Sequence, residues 1–155
     1  MTIIPINVGD VAAALADQIE SDPSVAALDL TTVARSEPLN EDPGLDYWAC
    51  IYRARVSFPV RTLGAGSGFR RQEMHFVVAM QASDLTSGAQ CEERLDALVK
   101  AVVGAILSDP TLKGTVYTLS EQMELSYADY QMVNDQYMQT AFLEFAAIGQ
   151  VSIGG

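Results

Sequence analysis

The sequence predicts an α+β fold: an antiparallel β-sheet with two amphipathic helices packed on one face, and an extended β-hairpin. Three observations carry that expectation. Two segments, one opening the chain and one after Ser87, repeat apolar residues at helical spacing. Between them, two segments alternate apolar and polar residues around a glycine-rich stretch. The order helix, strands, helix, strands then favours helices gathered on one side of an antiparallel sheet.

The first helix is expected from about Val8 to Ser21. Val8, Val11, Ala12, Leu15 and Ile19 form its apolar stripe, Asn7 is placed to cap it, and Asp10 sits at its positive end. Pro23 disfavours helix at Asp22, so the Ser-Asp-Pro at 21–23 reads as a helix exit into an extended segment. A strand is expected there, with Leu28, Leu30 and Thr32 alternating against Asp29 and Thr31. "NEDPG", Asn40 to Gly44, is an acidic turn-rich loop.

The clearest strand is "YWACIYRARVSF". Its alternation puts Trp48, Cys50, Tyr52, Ala54, Val56 and Phe58 on one face and Arg53, Arg55 and Ser57 on the other. Its partner is "EMHFVVAMQ", with Met74, Phe76, Val78 and Met80 toward the same core. The "RTLGAGSGFRR" loop, Arg61 to Arg71, would join them as the tip of the hairpin.

Ser87 and Gln90 have capping-box spacing ahead of the second helix. Its stripe is Leu95, Leu98, Val99, Val102 and Ile106, with Glu92, Glu93, Asp96 and Lys100 on the wet side. Pro110 ends it in a second Ser-Asp-Pro. Because the segments after the two copies differ, this is punctuation and not an internal repeat. "SYADYQMVNDQYMQ" fits either a polar strand pair or an irregular loop, and "TAFLEFAAIGQVSI" reads as a last strand.

The chain has 155 residues and a hydrophobic content of 49%, which fits one packed domain, 1–155. Its formal charge of −11 argues against the basic footprint of a nucleic-acid binder. No apolar run approaches the ~20 residues of a membrane span, and the N-terminus has no leader pattern, so it reads as cytoplasmic where it is made. Cys50 and Cys91 read as reduced core residues.

Chemistry is scarce. His75 is the single histidine, and no Asp, Glu, His or Cys stands at ligand spacing around it. "GAGSGFRR" matches neither nucleotide-binding glycine pattern, and no helix follows it. Tyr127, Tyr130, Met132, Tyr137 and Met138 could stack on bases, but Glu124, Asp129 and Asp135 lie among them, so an interface or core role fits better. The expectation is therefore no enzyme, no cofactor and no metal.

"ERLDALVKAVVGAILSDPTLKGTVYTL", Glu93 to Leu119, resembles the signature of tail terminator (tail completion) proteins of long-tailed bacteriophages. In that family an amphipathic helix runs into an Asp-Pro-x-Leu-x-Gly turn and then a strand. The matching positions here are Leu95, Leu98, Val99, Val102, Leu107, Asp109, Pro110, Leu112 and Gly114. The order and length of the remaining elements are similar.

The resemblance implies a structural virion protein of the tail–neck region, assembled in the host cytoplasm. It implies a homo-oligomeric ring, six-fold, on the head-proximal end of the tail tube. The ring would stop tube polymerisation and present a surface to a neck or head-completion protein, with DNA passing through unbound. On that reading Arg61, Gly64, Gly66, Gly68, Arg70 and Arg71 are candidate interface residues, and Asp17, Glu20, Glu41 and Asp42 are candidate lumen acids. The alternatives are another neck or head–tail joining protein (a stopper or head-completion protein) and a cytoplasmic α+β small-molecule-binding module.

Overall fold

The computed structural model of the chain describes residues 2–3, 6–30, 32–40, 44, 47–58 and 69–154. In chain order the elements are β1 (Thr2–Ile3), α1 (Val8–Glu20), α2 (Pro23–Ala26), β2 (Ala34–Arg35), β3 (Trp48–Ser57) and β4 (Phe69–Asp84). Then follow α3 (Gly88–Leu107), β5 (Thr118–Leu119), β6 (Glu124–Tyr127), β7 (Gln131–Val133) and β8 (Gln136–Gly154). This is an α+β fold. The expected antiparallel sheet is in fact mixed, because β2 pairs parallel to β3 while the other pairings are antiparallel.

The sheet is built around β8, which pairs with β4 from Tyr137 to Ser152. On its other side β8 carries a string of short strands, β7, β6, β5 and then β1. β5, β6 and β7 are one outer strand broken by bulges. Between Thr118 and Glu124 it advances six residues while β8 advances four, from Ile148 to Glu144. Asn134 and Asp135, at φ 50° and 61°, make the two-residue turn from β7 into β8. Asn and Asp tolerate the left-handed conformation that a two-residue hairpin turn with positive φ at both central residues demands. The Tyr/Met-rich stretch is thus the strand pair that the sequence left open against a loop.

Helices α1 and α3 cover one face of this sheet. Val11, Leu15 and Ile19 of α1 and Leu95, Leu98, Val102 and Ile106 of α3 join Met74, Phe76, Val78 and Met80 of β4 and Leu143 and Phe145 of β8 in one core. The caps form as their side chains allow. Asn7 accepts hydrogen bonds from the backbone N–H of Gly9 and Asp10, and Ser87 accepts from Gln90 N–H. Gln18, buried in α1, donates from Nε2 to the carbonyls of Ala105, Ile106 and Asp109 and so ties α1 to the end of α3.

Three local expectations need correction. The segment after the first Ser-Asp-Pro does not become a strand. Asp22 caps a new helix by accepting from Ser24 N–H at 2.8 Å, with Pro23 in the first turn, where its missing N–H costs nothing. Turns follow to Asp29, and Leu30 is buried without joining the sheet. In β3 the core face begins with Ala49 and Ile51, which pair with Met80 and Val78. Cys50 and Tyr52 face the other side. A bulge between Arg53 and Arg55 inserts one residue, so only beyond it does Val56 come opposite Met74, as expected. Finally, β4 begins at Phe69, so Phe69, Arg70 and Arg71 belong to the strand and not to the hairpin tip.

Candidate assembly surfaces

The expected interface residues separate. Arg61, Gly64, Gly66 and Gly68 lie outside the described residues, as do Glu41 and Asp42. Arg70 pairs through its backbone with Val151, and Arg71 pairs with Gln150. The Arg71 guanidinium stands 2.9 Å from Glu73, on the sheet face away from the helices. On that same face His75 Nε2 lies 3.8 Å from Glu73, and His75 sits between Arg55 and Ala146 in the ladder. Among the described residues no group of His, Cys, Asp or Glu could hold a metal ion. Among the described residues no helix is long and apolar enough to cross a membrane.

The candidate lumen acids also part company. Asp17 is exposed on α1, whereas Glu20 is half-buried and accepts a hydrogen bond from Val33 N–H at 2.8 Å. Glu20 therefore fastens the chain that leads into β2, a task set by a contact between residues well separated along the chain.

The turn after α3 accounts physically for the Asp-Pro-x-Leu-x-Gly pattern. Asp109 Oδ1 accepts from the Thr111 hydroxyl at 2.6 Å and from Thr111 N–H at 3.0 Å, and Oδ2 accepts from Lys113 N–H at 2.9 Å. Leu112, Lys113 and Gly114 then take left-handed φ values of 50°, 58° and 81°, which turn the chain back so that the Leu112 side chain is fully buried. Asp clamps, Leu plugs the core, and Gly accepts the last left-handed step.

Led by the Thr111 hydroxyl, these donors hold the Asp109 carboxyl below its usual pKa. A depressed folded pKa contributes stability that is present above the ordinary Asp value and is lost as pH falls through the folded one. Thermal melts between about pH 4 and lower values should therefore show the native chain losing more stability than Asp109→Asn, whose amide keeps one acceptor and no titration. Parallel pH curves for the two proteins would remove Asp109 from the clamp.

The surface also exposes apolar side chains that the sequence could only assign to an interface or to the core. Tyr127 is 51% exposed and Met132 60%, with Leu125 and Tyr130 beside them. Leu125 and Tyr127 pair with Leu143 and Ala141, so they stand on the helix-bearing face but beyond the helices' cover. Tyr130 reaches back to α3, where its hydrogen bond with Glu92 pushes the phenol up to about 12. The legible signal was the setting of these tyrosines and methionines among Glu124, Asp129 and Asp135 in the sequence. Tyr52, by contrast, is raised to about 12 chiefly by burial, and its hydroxyl donates to Glu37 O on the helix-free face.

The concavities are open and mixed in lining. One lies between Leu39, Gln81, Asp129, Met138 and Phe142; another lies between α1 and the β2–β3 edge, lined by Gly9, Ala12, Arg35, Ser36, Ile51 and Arg53. Fold and surface together define an α+β sheet-and-helix domain whose distinguishing features are strand edges and projecting side chains. The same fold is found in a solved structure, the virion of a native gene transfer agent particle. One chain of it is similar to this one at 20% identity and a TM-score of 0.51, over 94% of this chain and 96% of that one. No protein-family profile and no curated protein matches the sequence.

Proposed function

We propose that this chain is a structural subunit of a phage-type virion and, within that class, a tail terminator. It forms a ring on the head-proximal end of a tail tube, halts tube growth, and offers its other side to a neck protein. The fold likeness to a virion chain over nearly the full length of both carries the reading. The Glu93–Leu119 resemblance supports the finer assignment, since Asp109, Leu112 and Gly114 of its turn each have a mechanical task here. A head–tail joining protein of another kind remains the alternative that shares these features. The small-molecule module has less support, because such sites enclose their ligand in a largely apolar pocket and the grooves described above are open.

In this reading the protein is not an enzyme, and DNA passes through the ring without being gripped. Asp17, exposed on α1, is the described candidate for an acid lining the passage, and a net charge of −11 favours repulsion of the phosphate backbone. The test is electron microscopy of the purified chain, alone and added to growing tail tubes. Rings, and tubes that stop at a capped end, are the expected result. Tubes that grow to the same length with and without the protein, together with an absence of rings, would overturn the proposal.

A further inference from the structure

Two strand edges on opposite sides of the sheet are left without partners among the described residues, and they carry opposite charge. The outer side of β3 is paired with β2 only at Cys50 and Ile51. From Arg53 to Ser57 it has no strand partner, Arg53 and Arg55 are exposed, and neither forms an ion pair among the described residues. At the other side, β6 pairs with β8 alone and is exposed at every residue from Glu124 to Tyr127. Glu121 and Glu124 stand at that edge. An exposed edge with apolar side chains invites pairing with another strand unless something covers it.

We propose that the free β6 edge of one copy pairs with the free β3 edge of the next. The proposal rests on the assembly reading above and names the surfaces that close the ring. The topology allows it. β3, β4, β8 and β6 are adjacent in that order and each pairing is antiparallel, so β3 and β6 run in opposite directions. A copy rotated about an axis along the strands therefore presents its β3 antiparallel to β6, and the sheet continues from subunit to subunit. A contact between different edges of identical copies is heterologous and closes into a ring when the rotation permits. Charge selects this contact over the symmetric ones. β6 against β6 would oppose Glu124 and Glu121 to themselves, and β3 against β3 would oppose Arg53 and Arg55, whereas β6 against β3 sets acids beside bases.

The side chains agree. Leu125 and Tyr127 project from β6 on the helix-bearing face. Beside the free β3 edge, on that same face, lies the groove between α1 and β2–β3, with Gly9 and Ala12 as its small floor residues and Arg35 and Arg53 at its rim. Edge pairing would lay Leu125 and Tyr127 toward this groove and remove them from water.

The test uses the full chain and compares oligomeric state by native mass and electron microscopy. Arg53→Glu with Arg55→Glu, and separately Glu121→Arg with Glu124→Arg, should each weaken self-association at least tenfold. Both changes in one chain should restore it, because each reversed edge then meets its reversed partner. The sites are exposed, and an unchanged thermal melt confirms that each variant folds. A second readout is a disulfide between Arg55→Cys and Glu124→Cys. Within one chain these lie about three strand spacings apart, roughly 14 Å, so only neighbouring copies can bridge, and a ladder of linked oligomers is expected. A ladder that stops at the dimer overturns the head-to-tail arrangement. Rings that survive both charge reversals and give no ladder overturn edge pairing and leave the ring reading standing. A native chain that is monomeric both in solution and on tubes overturns both.

Discussion

Phe76→Ala is expected to lower the stability of the fold by about 3–5 kcal/mol. Phe76 lies at the middle of β4, on the helix-bearing face, and is 1% exposed. It pairs directly with Phe145 of β8, with ring centroids 6.3 Å apart and planes tilted by 38°. Truncation removes the buried ring, the tilted aromatic contact, and the surface on which α3 rests. The helices packed over this face of the sheet leave little room for the site to collapse. For a domain of this size each kcal/mol moves the melting temperature by about 2–4 °C, so a fall on the order of 6–20 °C should appear in a thermal melt. A loss below about 1 kcal/mol, the size of an ordinary substitution, would mean that the two sheet-centre rings do not organise the core.

Leu98→Ala should cost about 2–5 kcal/mol by the same mechanism acting from the helix side. Leu98 is fully buried in α3 and belongs to the cluster shared by α1, α3 and the sheet. The cavity it would leave sits where the layers meet. Lys100→Ala, two residues along on the exposed side of the same helix, should stay within about 0.5 kcal/mol. Chemical denaturation of the three proteins gives the comparison directly. Equal losses for Leu98 and Lys100 would show that helix propensity, and not packing, is being measured.

Both predictions concern parts of the molecule that are legible from sequence. Leu95, Leu98, Val99, Val102 and Ile106 recur at helical spacing because a helix has one face to bury, and all five are buried. Asn7 and Ser87 declare helix starts through short side chains that accept from the first free N–H groups. Where the local code was ambiguous, the reading failed. Ser-Asp-Pro disfavours helix before the proline, yet Asp and Pro are equally suited to open the next helix, and α2 takes that option. In β3 both faces of the first half are covered, Ala49 and Ile51 by the helices and Cys50 by the chain near Glu37. Alternation of buried and exposed residues then carries no information about which face is the core.

The candidate assembly surfaces divide along the same line. Net acidity, the cluster of arginines in and around the hairpin, and the Tyr/Met-rich stretch are properties of the sequence and were visible in it. Which of these residues stand at an open edge was not. Arg53 and Arg55 become edge residues only because β2 covers two residues of β3 and stops, and Glu124 to Tyr127 do so only because β8 takes β6 as its outermost neighbour. Periodicity and capping act over a few residues and are written in adjacent letters. Strand order and free edges depend on pairings between positions as distant as Ile3 and Ile153, and these are chosen by the packing of the whole chain. The sequence by itself determined the two long helices, their buried stripes and the α+β class. The tertiary structure alone decided where the sheet ends.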